Sequence, residues 1–201
     1  MNKLLITGQL LKEFGACSAD RFEFEELYPD GIDIAPMWSE SYQDRIDIWT
    51  TAIDHPFLRT VLGWAMENGI IPNSIPSFYM GEKDLTELDL SYAKIHHPIF
   101  TESILKHSDF THANLEVGVF DEANLEGAIL EYSYLRSAVF TNADLHRARF
   151  TCANLRHTTF FGAKNITPTG FRGAIISKSS IDSMNLPPDK RDILIKNVLI
   201  V

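Results

Sequence analysis

The stretch that decides the fold is "SDFTHANLEVGVFDEANLEGAIL", Ser108 to Leu130, in which "THANLE" returns ten residues later as "DEANLE". Every fifth position carries a large apolar residue, namely Phe110, Leu115, Phe120, Leu125 and Leu130. A step of five fits neither the period of an amphipathic helix nor that of a strand. The stretch therefore indicates a repeat, and a fixed-period repeat is interpreted before any local propensity.

The step of five runs through sixteen consecutive units, from Leu85 to Phe160. Two positions before each large residue the side chain is small in thirteen units, the exceptions being Lys83, Leu88 and Pro98. A narrow coil with one unit on each flat side explains both features, because each wall has room for one large inward side chain and needs a small one at the corner. Stacked coils would pair their backbones at about 4.8 Å.

If a coil contains four units, residues twenty apart in sequence share one wall, which predicts a buried core of stacked phenylalanines. Phe100, Phe120, Phe140 and Phe160 share one wall, and Phe110 and Phe150 share another. After Phe160 the step resumes one residue late at Ile166. We therefore predict one inserted residue near Lys164–Asn165.

Four of the units, "ANLEV", "ANLEG", "ADLHR" and "ANLRH", begin at Ala113, Ala123, Ala143 and Ala153. They resemble the pentapeptide-repeat family, whose unit is A-[DN]-L-x-x, and the resemblance extends over about residues 84–163. It implies a mainly β fold, a right-handed four-sided parallel β-helix. Such a coil is stabilised by contacts between neighbouring repeats.

Three regions follow along the chain. Residues 1–75 are predicted to form a small α-helical module, with helices over Asn2–Phe14, after Ser18, after Ser39 and from Pro56, and a turn at Tyr28–Gly31. Residues 76–186 form the solenoid. Residues 187–201 form a cap or tail with a helix after Pro188, whose apolar residues cover the open end or meet another chain: Ile193, Leu194, Val198 and Val201.

Composition and motifs narrow the range of possible functions. A net charge of −9 argues against direct binding of nucleic acid or of an anionic membrane surface. Cys17 and Cys152 form no disulfide framework, and no signal peptide or membrane span is found, so a cytoplasmic, bacterial protein is expected. No two histidines are twenty apart in one ladder, and no nucleophile or phosphate-loop motif occurs. We expect no metal, no cofactor and no enzyme activity.

The outward positions supply the candidate partner-binding residues. Ile99, Val119 and Val139 should form an apolar stripe, and apolar patches usually mark contacts. Acidic candidates accompany them: Asp89, Glu102, Asp109, Asp121 and Glu122. Tyr92, His112, Tyr132 and Cys152 should line up and stack, and Glu116 should pair with Arg136. The stripe or the C-terminal tail could also join two copies into a homodimer.

Charge is divided unevenly along the repeats. Residues 81–131 contain eleven acidic and three basic residues, whereas residues 132–186 contain two acidic and seven basic ones. The first hypothesis is therefore a non-catalytic scaffold that binds an unidentified protein partner. The second follows from the resemblance, because quinolone-resistance members of the family imitate a DNA duplex and occupy the DNA site of a topoisomerase such as gyrase. Its phosphate mimics would be Asp84, Glu87, Asp89, Glu102, Asp109, Asp121 and Glu122. The third, an enzyme in the helical module, has no motif behind it.

Overall fold

A computed structural model describes residues 5–13, 25–26, 28–33, 62–63, 66–67, 73–75 and 79–201. The chain divides into two compact units, residues 1–59 and residues 60–201. The predicted helix caps at Ser18 and Ser39, the start of the helix at Pro56, and Cys17 lie outside the described residues. The three-region division at 75 and 186 stays a prediction.

The first unit contains a small antiparallel sheet that the sequence pattern missed. Strand β1 (Leu5–Ile6) pairs with strand β2 (Ile32–Asp33). Helix α1 (Gly8–Glu13) follows, and the Thr7 hydroxyl accepts a hydrogen bond from the Leu10 N–H at 3.2 Å. The prediction of a helix from Asn2 is therefore wrong at its start, because Leu5–Ile6 is extended and Thr7 caps the helix.

The turn predicted before strand β2 is confirmed. The Gly31 N–H donates to the Tyr28 carbonyl at 2.9 Å. Gly31 has a φ of 79°, a left-handed conformation that glycine adopts without strain. The turn brings Ile32 opposite Ile6, and both side chains are buried.

The second unit is built from four parallel ladders of backbone pairs, each joining residues in successive coils. One ladder joins Tyr79, Ile99, Val119, Val139 and Thr159. Another contains strands β3 (Ser74–Ile75) and β4 (Lys94–Ile95), and continues to β5 (Asn154–Leu155), β6 (Ile175–Ile176) and β7 (Leu199–Ile200). The N–H of Phe120 donates to the Val139 carbonyl at 2.8 Å, and this bond recurs around the coil. The result is a four-sided parallel β-solenoid.

The coil starts two units earlier than Leu85, where the predicted repeats begin. Ile75 and Met80 are buried in the same inward slot, and Ser74–Ile75 pairs with Lys94–Ile95. The step of five already reaches back to these two residues in the sequence. The start of the solenoid could therefore have been placed from the same pattern.

The interior is the predicted core. All six predicted phenylalanines, Phe100, Phe110, Phe120, Phe140, Phe150 and Phe160, have no exposed surface. On one wall the rings stack at 5.2, 4.7 and 5.3 Å between centroids, from Phe100 to Phe160. Offset stacking at this distance adds to the free energy gained by burial.

The inserted residue is confirmed at the end of the regular coils. Asn154 pairs with Ile175, one residue beyond the usual step of twenty. Phe171 consequently stacks on Phe150 at 4.8 Å, and Ile176 and Ile181 are buried in the shifted phase. The core therefore continues past the insertion without a break.

Three short helical elements close the C-terminal end of the coil. A 3₁₀ turn (Pro168–Phe171) and helix α2 (Lys178–Ser183) precede helix α3 (Pro188–Asn197). Helix α3 confirms the prediction of a helix after Pro188. Its Leu194 is fully buried, whereas Ile193 and Val201 are 43% and 57% exposed. Leu194 thus covers the end as predicted, and the alternative, that apolar residues of this segment meet another chain, stays a prediction for Ile193 and Val201.

At this end, serine hydroxyls accept the backbone hydrogen bonds that the carbonyls of a further coil would accept. The Ser177 Oγ accepts from the His157 N–H at 3.1 Å, and the Ser183 Oγ accepts from the Phe160 N–H at 3.0 Å. In the regular coils these N–H groups donate to carbonyls of the following coil. The hydroxyls therefore satisfy backbone donors that the end of the ladder would leave unpaired.

Residues just before the first coil cover its opposite end. The Gly63 N–H donates to the Asp89 carbonyl at 3.0 Å, and Leu62 and Met66 are buried. Within the described ranges, no helix has the length and apolarity needed to cross a membrane.

Candidate protein-interaction face

The wall that contains the phenylalanine stack carries the predicted apolar stripe on its outer side. We call it the phenylalanine wall, defined by the inward residues Phe100, Phe120, Phe140 and Phe160. Ile99, Val119 and Val139 follow one another in a single ladder and are all half-buried. The structure thus brings the three stripe residues together, one per coil.

Two aromatic residues that sequence reasoning missed lie at the ends of this wall. Tyr79 heads the same ladder and is 44% exposed, and Phe161, next to the buried Phe160, is 68% exposed. Both could have been found from the sequence, because Tyr79 precedes Met80, an inward residue of the repeat, and Phe161 occupies an outward slot. The apolar surface therefore extends beyond the predicted stripe.

The corner that follows the stripe carries a row of glutamates. Glu82, Glu102 and Glu122 occupy one corner in successive coils, are exposed, and have φ values of 60°, 58° and 59°. We call this row the glutamate edge; Glu82 was not among the predicted residues. In the part of the chain that the structure describes, neither Glu102 nor Glu122 forms an ion pair with Lys or Arg. Like charges about 4.8 Å apart repel one another.

The remaining acidic candidates are not part of this row. The Asp121 carboxylate accepts a hydrogen bond from the Thr141 N–H at 3.2 Å, on the phenylalanine wall itself. Asp89 and Asp109 lie on the opposite wall and accept from the N–H groups of Ser91 and Thr111 at 2.9 and 2.8 Å. The structure therefore separates these two aspartates from Glu102 and Glu122.

Other acidic side chains of the repeats are neutralised by neighbours one coil away. Lys106 Nζ lies 2.9 Å from Glu126, and Arg149 Nε lies 3.2 Å from Glu131. The hydrogen bond and charge of Lys106 lower the pKa of Glu126 below its ordinary value. A basic side chain one coil away can thus neutralise an acidic one, and among the described residues Glu102 and Glu122 lack such a neighbour.

The predicted pair of Glu116 and Arg136 is not formed. Both side chains are exposed, and neither takes part in an ion pair among the described residues. An exposed pair gains little in water and must order two long side chains, so stacking of the slots alone does not bring them together.

The predicted aromatic line is confirmed on another corner. The rings of Tyr92, His112 and Tyr132 stack with 5.0 Å between successive centroids, and Cys152 is exposed in the same corner slot of the next coil. A hydrogen bond to Glu67 is the main cause of the raised pKa of Tyr92. The faces of the rings pack against one another, so mainly the ring edges are accessible to a partner.

No group of three His, Cys, Asp or Glu residues converges on a metal position in the described ranges. One open cleft of about 200 Å³ lies on the outside of the coil, lined by Lys94, Ile95, His96, His97, Asn114, Glu116 and Val117. Its lining contains no hydroxyl or thiol nucleophile.

Four parallel ladders around an interior filled by one large side chain per wall define a β-solenoid of five-residue units. The family model for "Pentapeptide repeats" matches eight copies over residues 119–156 and 133–164. Residues 119–164 thus match the pentapeptide-repeat family, which confirms the resemblance noted for the units that begin at Ala123, Ala143 and Ala153. Comparison with curated proteins finds no match.

Solved structures of the same kind are similar to part of the chain. A pentapeptide repeat protein from the Arabidopsis thaliana thylakoid lumen is 28% identical, with 59% of this chain and 78% of that chain covered and a TM-score of 0.48. Rfr23 from the cyanobacterium Cyanothece 51142 is 20% identical, covering 50% and 83%, with a TM-score of 0.44. QnrB1, a plasmid-mediated fluoroquinolone resistance protein, is 14% identical, covering 52% and 67%, with a TM-score of 0.38.

Proposed function

We propose that the protein is a non-catalytic scaffold that binds another protein through its phenylalanine wall. The observation that carries this proposal is the apolar ladder of Ile99, Val119 and Val139, which the exposed Tyr79 heads. The ladder ends at Thr159, and the exposed Phe161 lies in the corner turn that follows. A contiguous apolar surface of this kind on a soluble domain usually marks a contact.

The wall is suited to binding because its backbone and interior are ordered before a partner arrives. The backbone of Val119 is held by the preceding coil, where its N–H donates to Pro98 and its carbonyl accepts from Phe100. Its neighbours Gly118 and Phe120 are hydrogen-bonded to Val139 in the following coil. Behind the stripe the phenylalanine rings are stacked and fully buried. Binding to such a surface costs little conformational entropy.

The non-catalytic part of the proposal follows from the filled interior. The inward side chains of the four walls occupy the tube, so any chemistry would have to take place on an outward, convex surface, whereas catalytic sites are generally concave. A cytoplasmic location and the lack of a cofactor stay predictions alongside it.

Mimicry of DNA toward a topoisomerase is the second candidate, and the exposed glutamate edge favours it. Two features weigh against it: Glu126 and Glu131 are paired with basic side chains, and residues 132–186 carry seven basic residues. A duplex mimic should stay acidic along its length. Inhibition or protection of gyrase supercoiling at stoichiometric amounts would support mimicry, and no effect at any ratio would exclude it.

The scaffold proposal is tested with two variants that place the same charge on opposite walls. Val119→Lys disrupts the stripe, and Ile129→Lys is its matched control, because Ile129 occupies the same half-buried ladder slot on the wall opposite. The tagged full chain and both variants are used to capture proteins from a lysate of the source organism, with quantitative mass spectrometry as readout. A partner lost with Val119→Lys and kept with Ile129→Lys supports the proposal.

Light scattering on the same three proteins measures their molar mass and so tests whether the partner is a second copy of the chain. A mass that corresponds to a dimer and that falls only for Val119→Lys would make the scaffold a homodimer. If no captured protein and no mass distinguishes Val119→Lys from Ile129→Lys, the phenylalanine wall is not a binding face.

A further inference from the structure

We propose that the occupant of the phenylalanine wall is an amphipathic α-helix of a partner protein, lying along the coil axis with Lys or Arg residues on one flank. This inference rests on the proposed scaffold function and names the chemistry of its partner. It combines three observations: the spacing of the stripe, the pairing of its backbone, and the charge of the corner beside it.

The spacing of the stripe matches a helix. Successive stripe residues lie one coil apart, about 4.8 Å, and an α-helix presents one face every turn, about 5.4 Å. From Ile99 to Val139 the accumulated mismatch is only about 1.2 Å, which side chains absorb by changing rotamer. A helix of three to four turns would therefore place its i, i+3, i+4 and i+7 residues against Ile99, Val119 and Val139.

The backbone of the wall excludes the other common mode of recognition. A partner strand added to this surface would need free N–H and C=O groups. At Val119 and Val139 the N–H groups donate to Pro98 and Gly118, and the carbonyls accept from Phe100 and Phe120. A helix satisfies its own backbone groups and needs only side-chain contacts from the wall.

The glutamate edge decides the charge of the partner. It runs parallel to the stripe on one side only. The turns of the opposite corner contain a single acidic residue, Glu116, and two exposed basic residues, Arg136 and Arg156. The carboxylates of Glu102 and Glu122 have no basic partner among the described residues, unlike Glu126 and Glu131. Basic side chains on one flank of the helix would relieve this repulsion.

The edge also sets the position and direction of the helix. Its row of carboxylates ends at Glu122, since Asn142 and Gly162 occupy the same corner in the next coils. The basic residues should therefore lie over the first three coils, and an apolar end of the helix should lie near Val139 and Phe161. Because a helix with one basic flank is chiral, the side on which the edge lies determines which end of the helix points toward Phe161.

The test uses a designed helical peptide of about four turns with a leucine stripe and lysines on one flank. A matched peptide carries glutamates in place of the lysines. Fluorescence anisotropy at low salt measures binding to the full chain. The lysine peptide should bind about tenfold more tightly than the glutamate peptide, and E102Q combined with E122Q should remove most of that difference. Val119→Lys should weaken the lysine peptide about tenfold, and Ile129→Lys should leave it unchanged.

Equal affinity for the two peptides, an equal effect of Val119→Lys and Ile129→Lys, or no saturable binding of the lysine peptide would overturn the inference. If a captured partner still depends on Val119, the scaffold function stands and only the helix inference fails. If capture fails as well, both fail. If residues 1–59 are cut by protease faster in Val119→Lys and the wild type binds neither peptide, the chain covers its own wall, which also overturns the inference.

Discussion

The rings of Phe120 and Phe140 stack 4.7 Å apart with their planes within 5° of parallel. The contacts above and below this pair are 5.2 and 5.3 Å, so Phe120 and Phe140 form the tight centre of the column. Each ring stacks on the ring of the next coil, and edge-to-face contacts with the neighbouring wall, Phe120 with Phe110 and Phe140 with Phe150, are longer at 6.3 and 5.7 Å. The stability of the solenoid therefore depends on contacts between neighbouring coils.

Removal of a ring from the centre of this column should be costly. Phe120→Ala is expected to lower the free energy of unfolding by about 3–5 kcal/mol, because it leaves a cavity between two stacked rings. Phe120→Leu is the control and should cost no more than about 1–2 kcal/mol, since Leu130 occupies an equivalent inward slot between Phe110 and Phe150. Urea denaturation measures both. Equal losses for the two variants would contradict the stacked column.

Val117 occupies a corner that suits it poorly. Its φ is 59°, a left-handed conformation that β-branched residues rarely adopt, and its side chain is 47% exposed. Val117→Asn should raise the free energy of unfolding by about 1 kcal/mol, because asparagine adopts this conformation more readily and little apolar burial is lost. Asn142, at a corner with φ 57°, provides the reverse test: Asn142→Val should cost about the same amount. Two changes of the same sign would show that backbone conformation is not the cause.

The serines at the C-terminal end should stabilise the protein through individual hydrogen bonds that they accept from backbone N–H groups. Ser183→Ala removes the acceptor of the Phe160 N–H and should cost about 1–3 kcal/mol. Ser179→Ala is the control, since the exposed Ser179 hydroxyl contacts only the Ser177 hydroxyl, and it should cost less than about 0.5 kcal/mol. Hydrogen exchange of the Phe160 amide gives a direct readout. Unchanged protection of that amide in Ser183→Ala would rule out the capping role.

Glu126 should make a small pH-dependent contribution to stability. Lys106 lowers the pKa of this carboxyl below its ordinary value of 4.5. Stabilisation is therefore fully present above that value and is lost as the pH falls through the lowered pKa of the folded state. The advantage of the wild type over Glu126→Gln should shrink at acidic pH and at high salt. Lys106→Met should raise the pKa of Glu126 in an NMR titration; an unchanged titration would exclude Lys106 as the cause.

Much of the solenoid could be predicted from the sequence because its inward residues obey one simple rule. The step of five predicted the insertion after Phe160, since only one large residue fits on each wall. Together with the four walls that the family resemblance implies, it also predicted the phenylalanine column. The same rule already extended to Ile75 and Met80. The aromatic stack of Tyr92, His112 and Tyr132 followed from the same register.

Other features depend on contacts that no repeat pattern encodes. Strand β1 at Leu5–Ile6 depends on pairing with Ile32–Asp33, far along the chain, so local helical spacing misled the prediction. The serine caps arise because an ended ladder leaves N–H groups that only nearby hydroxyls can satisfy. The exposure of Phe161 depends on where the chain leaves the last regular coil.

The repeat pattern was enough to predict the architecture. Every fifth residue must be a large apolar side chain that fills the inside of the coil, and any exception would leave a hole or a clash. Only the tertiary structure decided which outward residues form a surface. Glu102 and Glu122 share a corner and have no basic partner among the residues that the structure describes, whereas Asp89 and Asp109 lie on the opposite wall and Glu126 is paired with Lys106. Outward side chains meet no packing limit, so their neighbours are set by the coil and by the electrostatics of the pairs that form.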